Sequence, residues 1–363
     1  MIGRIVVEPR ALASPLVRFG VPVASLFFAL FIGGLVLAAV GNSPVEAYRT
    51  MFDSSLKGWQ PIRRTLTLAT PLIFTGLAAT VAFRMRVYNI GAEGQLYLGA
   101  IASSWLALAL PADLPKVVML FVLILGGAVA GAAWASLAAI PKAYLNSDEI
   151  ITTLMLNFVA LSLMNYLIFG SMTFWRDPVR PMPQGNKIPD SAELPVLSGR
   201  LHAGIIIAVV AAVVLWWVLR QTRWGFQVRT IGDSAEAARY AGMSVKLKMI
   251  SVLAISGALA GIAGAVEVSG VTKSLEPKAL ATGIGFTGII VAVVARTNPL
   301  GVLPVSVLLA AIATSGSSLQ SSGIQVEVVF LLQGLIFLSV TAGEFFVTNR
   351  VSIRTASPIE VTT

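Results

Sequence analysis

A succession of apolar runs, each close to the roughly 20 residues that a helix needs to cross a bilayer, constrains this chain more than any motif. They fall at 19–41, 66–83, 94–110, 117–140, 150–170, 203–220, 249–271, 284–295, 300–318 and 327–347. Backbone amides cannot stay unpaired in lipid, so runs of this kind are expected to be helical. Composition agrees: 56% of residues are hydrophobic and 12% are charged, where a soluble domain carries about 25% charged residues. The expected fold is an all-α integral membrane protein of about ten transmembrane helices, with residues 1–363 forming a single membrane domain. The basic stretch before Phe19 resembles the start of a secretory signal. The run that follows is too long and ends at Val40 without a small-residue cleavage pattern, so it is expected to be kept as the first span.

Several functions are excluded early. With no cysteine the chain has no disulfide framework, thiolate metal site or thiol nucleophile. It contains no Gly-Lys pair, so it lacks the phosphate loop that cradles ATP. The single histidine, His202, stands at a loop edge and is expected to be solvated. The net charge of +9 is spread over short loops, which points to membrane orientation rather than to nucleic acid. Placing the N-terminus in the cytoplasm puts fifteen of the 26 Lys and Arg residues on that side, including those at 84–86, 220–248 and 350–354. Both termini and 221–248 are then cytoplasmic, and 171–202 is outside. That outer segment leaves five spans on each side, so the second half would start from the opposite face, as a 5+5 inverted repeat requires. Small-residue ladders occur in both halves, at Gly126, Gly127 and Gly131 and at Gly257, Gly261 and Gly264, and permit close helix approach. The runs 66–83 and 284–295 are short or polar for lipid-facing spans, and are expected to face protein or an aqueous path.

Two constellations could carry function. Around the start of the third and eighth runs lie Asn89, Glu93, Gln95 and Phe286, with Asn157 on the fifth run. The neutral amides of Asn89, Gln95 and Asn157 and one aromatic ring suit a polar, uncharged, planar ligand. Each also has a packing role: Glu93 suits the positive end of its own helix, Asn89 can cap it, and Asn157, with Asn165 eight residues on, can bond between helices. Asp148 and Glu149 look like the cap of the fifth helix. Glu267 and Glu327 lie near the outer surface and are expected to be hydrated.

The second constellation is the basic loop Thr230–Val245, which holds Gly232, Asp233, Glu236, Ala237, Ala238, Gly242 and Met243. It reads as a short helix capped by Asp233 or Ser234 and ended by Gly242. Ala237 and Ala238 would give it a flat exposed surface that a soluble partner can grip.

This Glu-Ala-Ala-x-x-x-Gly loop resembles the coupling segment of permease subunits in bacterial ABC importers. The stretches 83–95, 148–158, 225–232, 241–245, 255–267 and 283–289 are similar, in order and spacing, to the nucleoside branch of that superfamily. The resemblance implies a permease that pairs with a second homologous permease as a heterodimer in the bacterial inner membrane. It also implies an ATPase with two fused nucleotide-binding domains and an extracytoplasmic substrate-binding lipoprotein. ATP and Mg would then sit on the ATPase, with no cofactor on this chain. A sugar or branched-chain amino acid permease, or a stand-alone secondary transporter, are the rival readings.

Overall fold

The computed structural model describes residues 4–9, 14–170, 172–179 and 183–354. The helices are α1 (Pro15–Ala39), α2 (Pro44–Ser55), α3 (Trp59–Arg84), α4 (Ala92–Ala109), α5 (Lys116–Leu145), α6 (Glu149–Asn165), α7 (Gly204–Gln221), α8 (Arg223–Asp233), α9 (Ala235–Tyr240), α10 (Val245–Glu267), α11 (Pro277–Leu280), α12 (Ile284–Val294), α13 (Pro299–Ser321) and α14 (Val326–Thr348). One π turn continues α6 over Tyr166–Gly170 and another continues α10 over Val268–Thr272. Four short strands complete the order: β1 (Arg4–Pro9), β2 (Val196–Ser198), β3 (Leu201–His202) and β4 (Asn349–Arg354).

Every apolar run lies on a helix. Among the described residues, eight helical segments are long and apolar enough to cross a membrane, which makes this a multi-pass helical membrane protein. α4 is not one of the eight, because its first turn carries Glu93 and Gln95, and the apolar part of α1 is described over Phe27–Ala39. The polar stretches differ from expectation. Residues 44–65, outside every apolar run, form helix α2 and the first turns of α3, and residues 223–233 form the helix α8. Both mix charged and apolar residues within each turn, so no apolar run announces them. Parts of the termini (1–3, 10–13 and 355–363) and of the segment 171–202 (171 and 180–182), which was expected outside, lie outside the described residues.

Two units divide the chain, residues 1–52 with 315–363 and residues 53–314. In the first, α1 packs on α14 and β1 pairs antiparallel with β4, Arg4 opposite Arg354. Its core gathers Leu37, Ala47, Leu319, Val329 and Leu332. In the second, α4, α5 and α10 approach so closely that backbones touch. A Cβ added to Gly261 would lie 2.1 Å from the Gly127 carbonyl oxygen, and one added to Gly131 would lie 2.2 Å from that of Gly257. Gly127 and Gly131 therefore face Gly257 and Gly261, whereas Gly126 turns to Leu106 and Gly264 to the α4 backbone at Leu96. Alongside, α3 is buried from Ala69 to Ala82. Its Thr75 hydroxyl donates to the carbonyls of Pro71 (3.1 Å) and Ile284 (3.2 Å), and Gly288 makes room for that side chain.

The segment between α6 and α7 is tied down over 185–202. Ile188 N–H donates to the Lys273 carbonyl (3.0 Å) and Leu194 N–H to that of Ser269 (2.8 Å), while Glu193 pairs with Lys273. Arg63 donates to Ser198 Oγ at 2.8 Å. His202, expected in solvent, is instead fully buried. Its ring fills the space left by Gly204 and Gly270, and Nδ1 accepts from Gly204 N–H at 3.2 Å. The start of α7 and the π turn after α10 close over it, which no local sequence pattern signals. Burial disfavours the imidazolium and lowers the pKa to about 4.

Two outcomes follow for the purified protein. Gly261→Val should lower the thermal unfolding midpoint in detergent by the equivalent of about 1–3 kcal/mol or more, because backbone must move. Gly334→Ala, where an added Cβ meets nothing within 4 Å, should not. Above pH 6.5 His202 is neutral whether folded or unfolded, so it contributes no pH dependence. Between about 6.5 and 4 the unfolded chain takes up a proton that the folded chain refuses, so stability falls through that window and levels off below it. The loss is at most about 3 kcal/mol, and His202→Phe should abolish that component of the acid sensitivity.

Candidate functional site

Between α3 and α4 the backbone leaves helical form at residues 85–91, with Arg86 at φ 56°. Amides exposed by such a break need partners, and one face of α6 supplies them. Glu149, Thr153 and Asn157 recur every fourth residue and so line up along the helix. Glu149 Oε1 accepts from Tyr88 N–H (3.3 Å) and Thr153 Oγ1 from Ile90 N–H (3.2 Å). Asn157 donates to the Ile90 carbonyl (2.9 Å) and accepts from Gly94 N–H (2.8 Å). Lys142 Nζ lies 2.7 Å from Glu149 Oε2, and Asp148 caps α6 as expected.

Asn89 and Gln95 exchange side-chain amide hydrogen bonds at 2.9 and 3.0 Å. Asn89 also donates to Ser256 Oγ (2.8 Å), which in turn donates to the Ala78 carbonyl (2.7 Å). All of these groups are buried. Asn89 does not cap α4 as expected. Its Oδ1 is taken by Gly91 N–H, and Asn157, from a neighbouring helix, serves the α4 terminus.

Glu93 opens α4, as its position implied, but its carboxylate serves another helix. It accepts from Tyr97 Oη–H at 2.6 Å, from Gly283 N–H at 3.0 Å and from Gly285 N–H. The last two belong to the start of α12, where a carboxylate satisfies orphan amides and meets the positive end of the helix dipole. Gly285 lets the two backbones touch; a Cβ there would lie 2.3 Å from Glu93 N. Phe286 follows at once, with its side chain 41% exposed. The five residues read from the sequence thus converge on the starts of α4 and α12. Four are buried in protein hydrogen bonds, and Phe286 alone presents an open surface. Of the remaining acids, Glu327 is exposed as expected, whereas Glu267 is buried among the packed residues at the end of α10. Asn165 is only partly buried, two turns beyond Asn157.

On the basic loop, α9 starts after Ser234, whose Oγ accepts from Ala237 N–H at 3.2 Å. Asp233 ends α8 and does not cap. Met243 N–H returns to the Ala238 carbonyl (3.0 Å) and Gly242 N–H to that of Arg239 (2.9 Å), with Gly242 at φ 76°. This is the glycine-terminated helix end expected of the sequence. Ala238 corrects the reading: it is fully buried. A helix of six residues must pin itself to its support with some position, and this is the one. Gly232 is buried as well. Asp233, Glu236, Ala237 and Gly242 are exposed, as is Tyr240, which the sequence reading did not single out. Met243 is partly buried.

The geometry defines a multi-pass helical membrane protein with a buried polar junction and a short exposed helix, α9. The family described as the branched-chain amino acid transport system permease component matches residues 62–341, and the chain belongs to it. The chain is similar to the glucose ABC transporter permease protein TsgB13 of Haloferax volcanii, 36% identical over 95% of this chain and 93% of that protein. It is similar to the guanosine ABC transporter permease protein NupP of Bacillus subtilis, 34% identical over 89% and 92% of the two chains. The nucleoside ABC transporter permease protein NupB of Lactococcus lactis subsp. cremoris is 30% identical over 87% and 88%. The protein is therefore the permease subunit of an ABC importer, and ATP hydrolysis lies in a separate subunit.

The two alanines of α9 should separate in a folding assay. Ala238→Trp should reduce the yield of monodisperse protein in detergent, since a buried methyl site must take an indole at about 1–3 kcal/mol or more of strain. Ala237→Trp, on the exposed face, should leave that yield unchanged.

Proposed function

We propose that this permease forms the translocation pathway for nucleosides. The observation that carries the reading is that two relatives matched over most of their length carry the names of guanosine and nucleoside permeases. The site is compatible with it: Phe286, 41% exposed at the start of α12, offers a ring on which a planar base can stack. A sugar reading is favoured by the glucose permease that is 36% identical to this chain. Transport with ATP by the reconstituted transporter separates the two. Radiolabelled guanosine, adenosine or uridine should be taken up, and excess glucose or ribose should not compete. Competition by either sugar as effective as by an unlabelled nucleoside would favour the sugar reading.

The assembly we propose has this chain paired with a second homologous permease in the bacterial cytoplasmic membrane. An ATPase with two fused nucleotide-binding domains docks on α9 and holds ATP and Mg, while this chain binds no cofactor. A substrate-binding lipoprotein delivers ligand from outside. ATP binding moves α9, and two packings of the spans around the pathway give alternating access. Ten crossings arranged as a 5+5 inverted repeat, with both termini and 221–248 in the cytoplasm, complete the scheme. The bias of basic residues supports this orientation, and the pairing of β1 with β4 supports both termini on one side. The absence of native cysteine allows a direct check. Val196→Cys should react with an impermeant reagent in intact cells and Tyr240→Cys should not, both positions being exposed; the reverse pattern would invert the topology.

A further inference from the structure

The last residue of α3, Arg84, contacts two other elements. Arg84 Nε donates to the main-chain carbonyl of Thr297 at 2.9 Å. That carbonyl belongs to the turn that closes α12, where Arg296 and Thr297 both have positive φ, 51° and 52°, and Thr297 N–H returns to the Ala292 carbonyl at 2.9 Å. The carbonyl of Arg84 itself is the seat of α8: a Cβ on Gly232 would lie 2.4 Å from it. Gly232 stands two residues before Ser234, the cap of α9. One residue of α3 thus lies between the exposed helix and the end of α12.

The rest of α12 is arranged to carry a displacement onward. Its middle is keyed to α3 by Thr75 and Gly288, and its start is held by Glu93. It spans eleven residues, about three turns, too short to bend appreciably, so motion of the Thr297 end reaches Phe286. Arginine suits the junction because the Nε–H donor sits in a rigid plane, whereas a lysine ammonium is a flexible, strongly hydrated point charge.

We propose that Arg84 is a positioning residue that couples movement of α8 and α9 to α12, and so to the pathway. This rests on the reading that α9 is the ATPase docking site. The assembled transporter in proteoliposomes provides the test, through three readouts: ATPase subunit retained on the permease, basal ATP hydrolysis, and nucleoside uptake per ATP hydrolysed. Arg84→Ala should keep retention and hydrolysis within about twofold of the parent, while uptake per ATP falls at least about tenfold. Arg84→Lys should fall between the two, and Thr297→Gly, which keeps the carbonyl and suits positive φ, should behave as the parent.

Unchanged uptake per ATP in Arg84→Ala would overturn the proposal, as would loss of uptake in step with loss of the bound ATPase. If Arg84→Ala does not assemble, Arg84→Lys decides by the same criterion. The docking reading is tested separately by Tyr240→Asp. Normal ATPase retention in that surface variant would refute docking at α9, whatever the Arg84 variants do.

Discussion

A carboxylate from one end of the chain's middle region holds the first turn of a helix 190 residues further on. The amides that begin α12 have no partner within their own helix, and burying them without an acceptor costs about 1–3 kcal/mol each. Glu93 supplies the acceptor. The reverse also holds: a buried carboxylate is costly unless it is well hydrogen-bonded. The Tyr97 hydroxyl and the Gly283 and Gly285 amides offset that cost together. Neither partner is stable in its place without the other. The packing of α3 on α12 and the outward presentation of Phe286 both depend on where α12 begins.

The same logic explains why so much polar chemistry surrounds residues 85–95 without forming a catalytic centre. A break in helical backbone within a membrane protein is tolerated only where protein or a water-lined cavity meets its amides. Here Glu149, Thr153 and Asn157 meet them from α6, and Asn89, Gln95 and Ser256 close the network toward α10. Nothing in the arrangement activates a nucleophile or moves a proton. It fixes the position of two helix starts in a subunit that leaves ATP hydrolysis to another.

Much of the fold was legible in the sequence because lipid enforces it. Apolar runs mark helices wherever water is excluded, and facing glycine ladders such as Gly127 and Gly131 against Gly257 and Gly261 mark contact. The end of α9 was legible too, since Ser234 and Gly242 act through local backbone geometry. What escaped was decided by tertiary packing. The amphipathic α2 and α8 have no apolar run, and the burial of Ala238 and His202 depends on elements that fold over them. The bond from Arg84 reaches a carbonyl rather than a side chain, so no residue type at 297 could announce it. The roles of Glu149, Thr153 and Asn157 were within reach, because their four-residue spacing already placed them on one face.

Amide hydrogen exchange over the first turn of α12, compared between the parent protein and Glu93→Ala in the same detergent, tests the dependence on Glu93 most directly. Removal of the acceptor should speed exchange of the Gly283–Phe286 amides at least about tenfold, a change of about 1.4 kcal/mol in local protection. The buried stretch of α3 from Ala69 to Ala82 should stay protected. Equal protection of the α12 amides in the two proteins would contradict the account, since it would mean that the helix start is held in place by something other than Glu93.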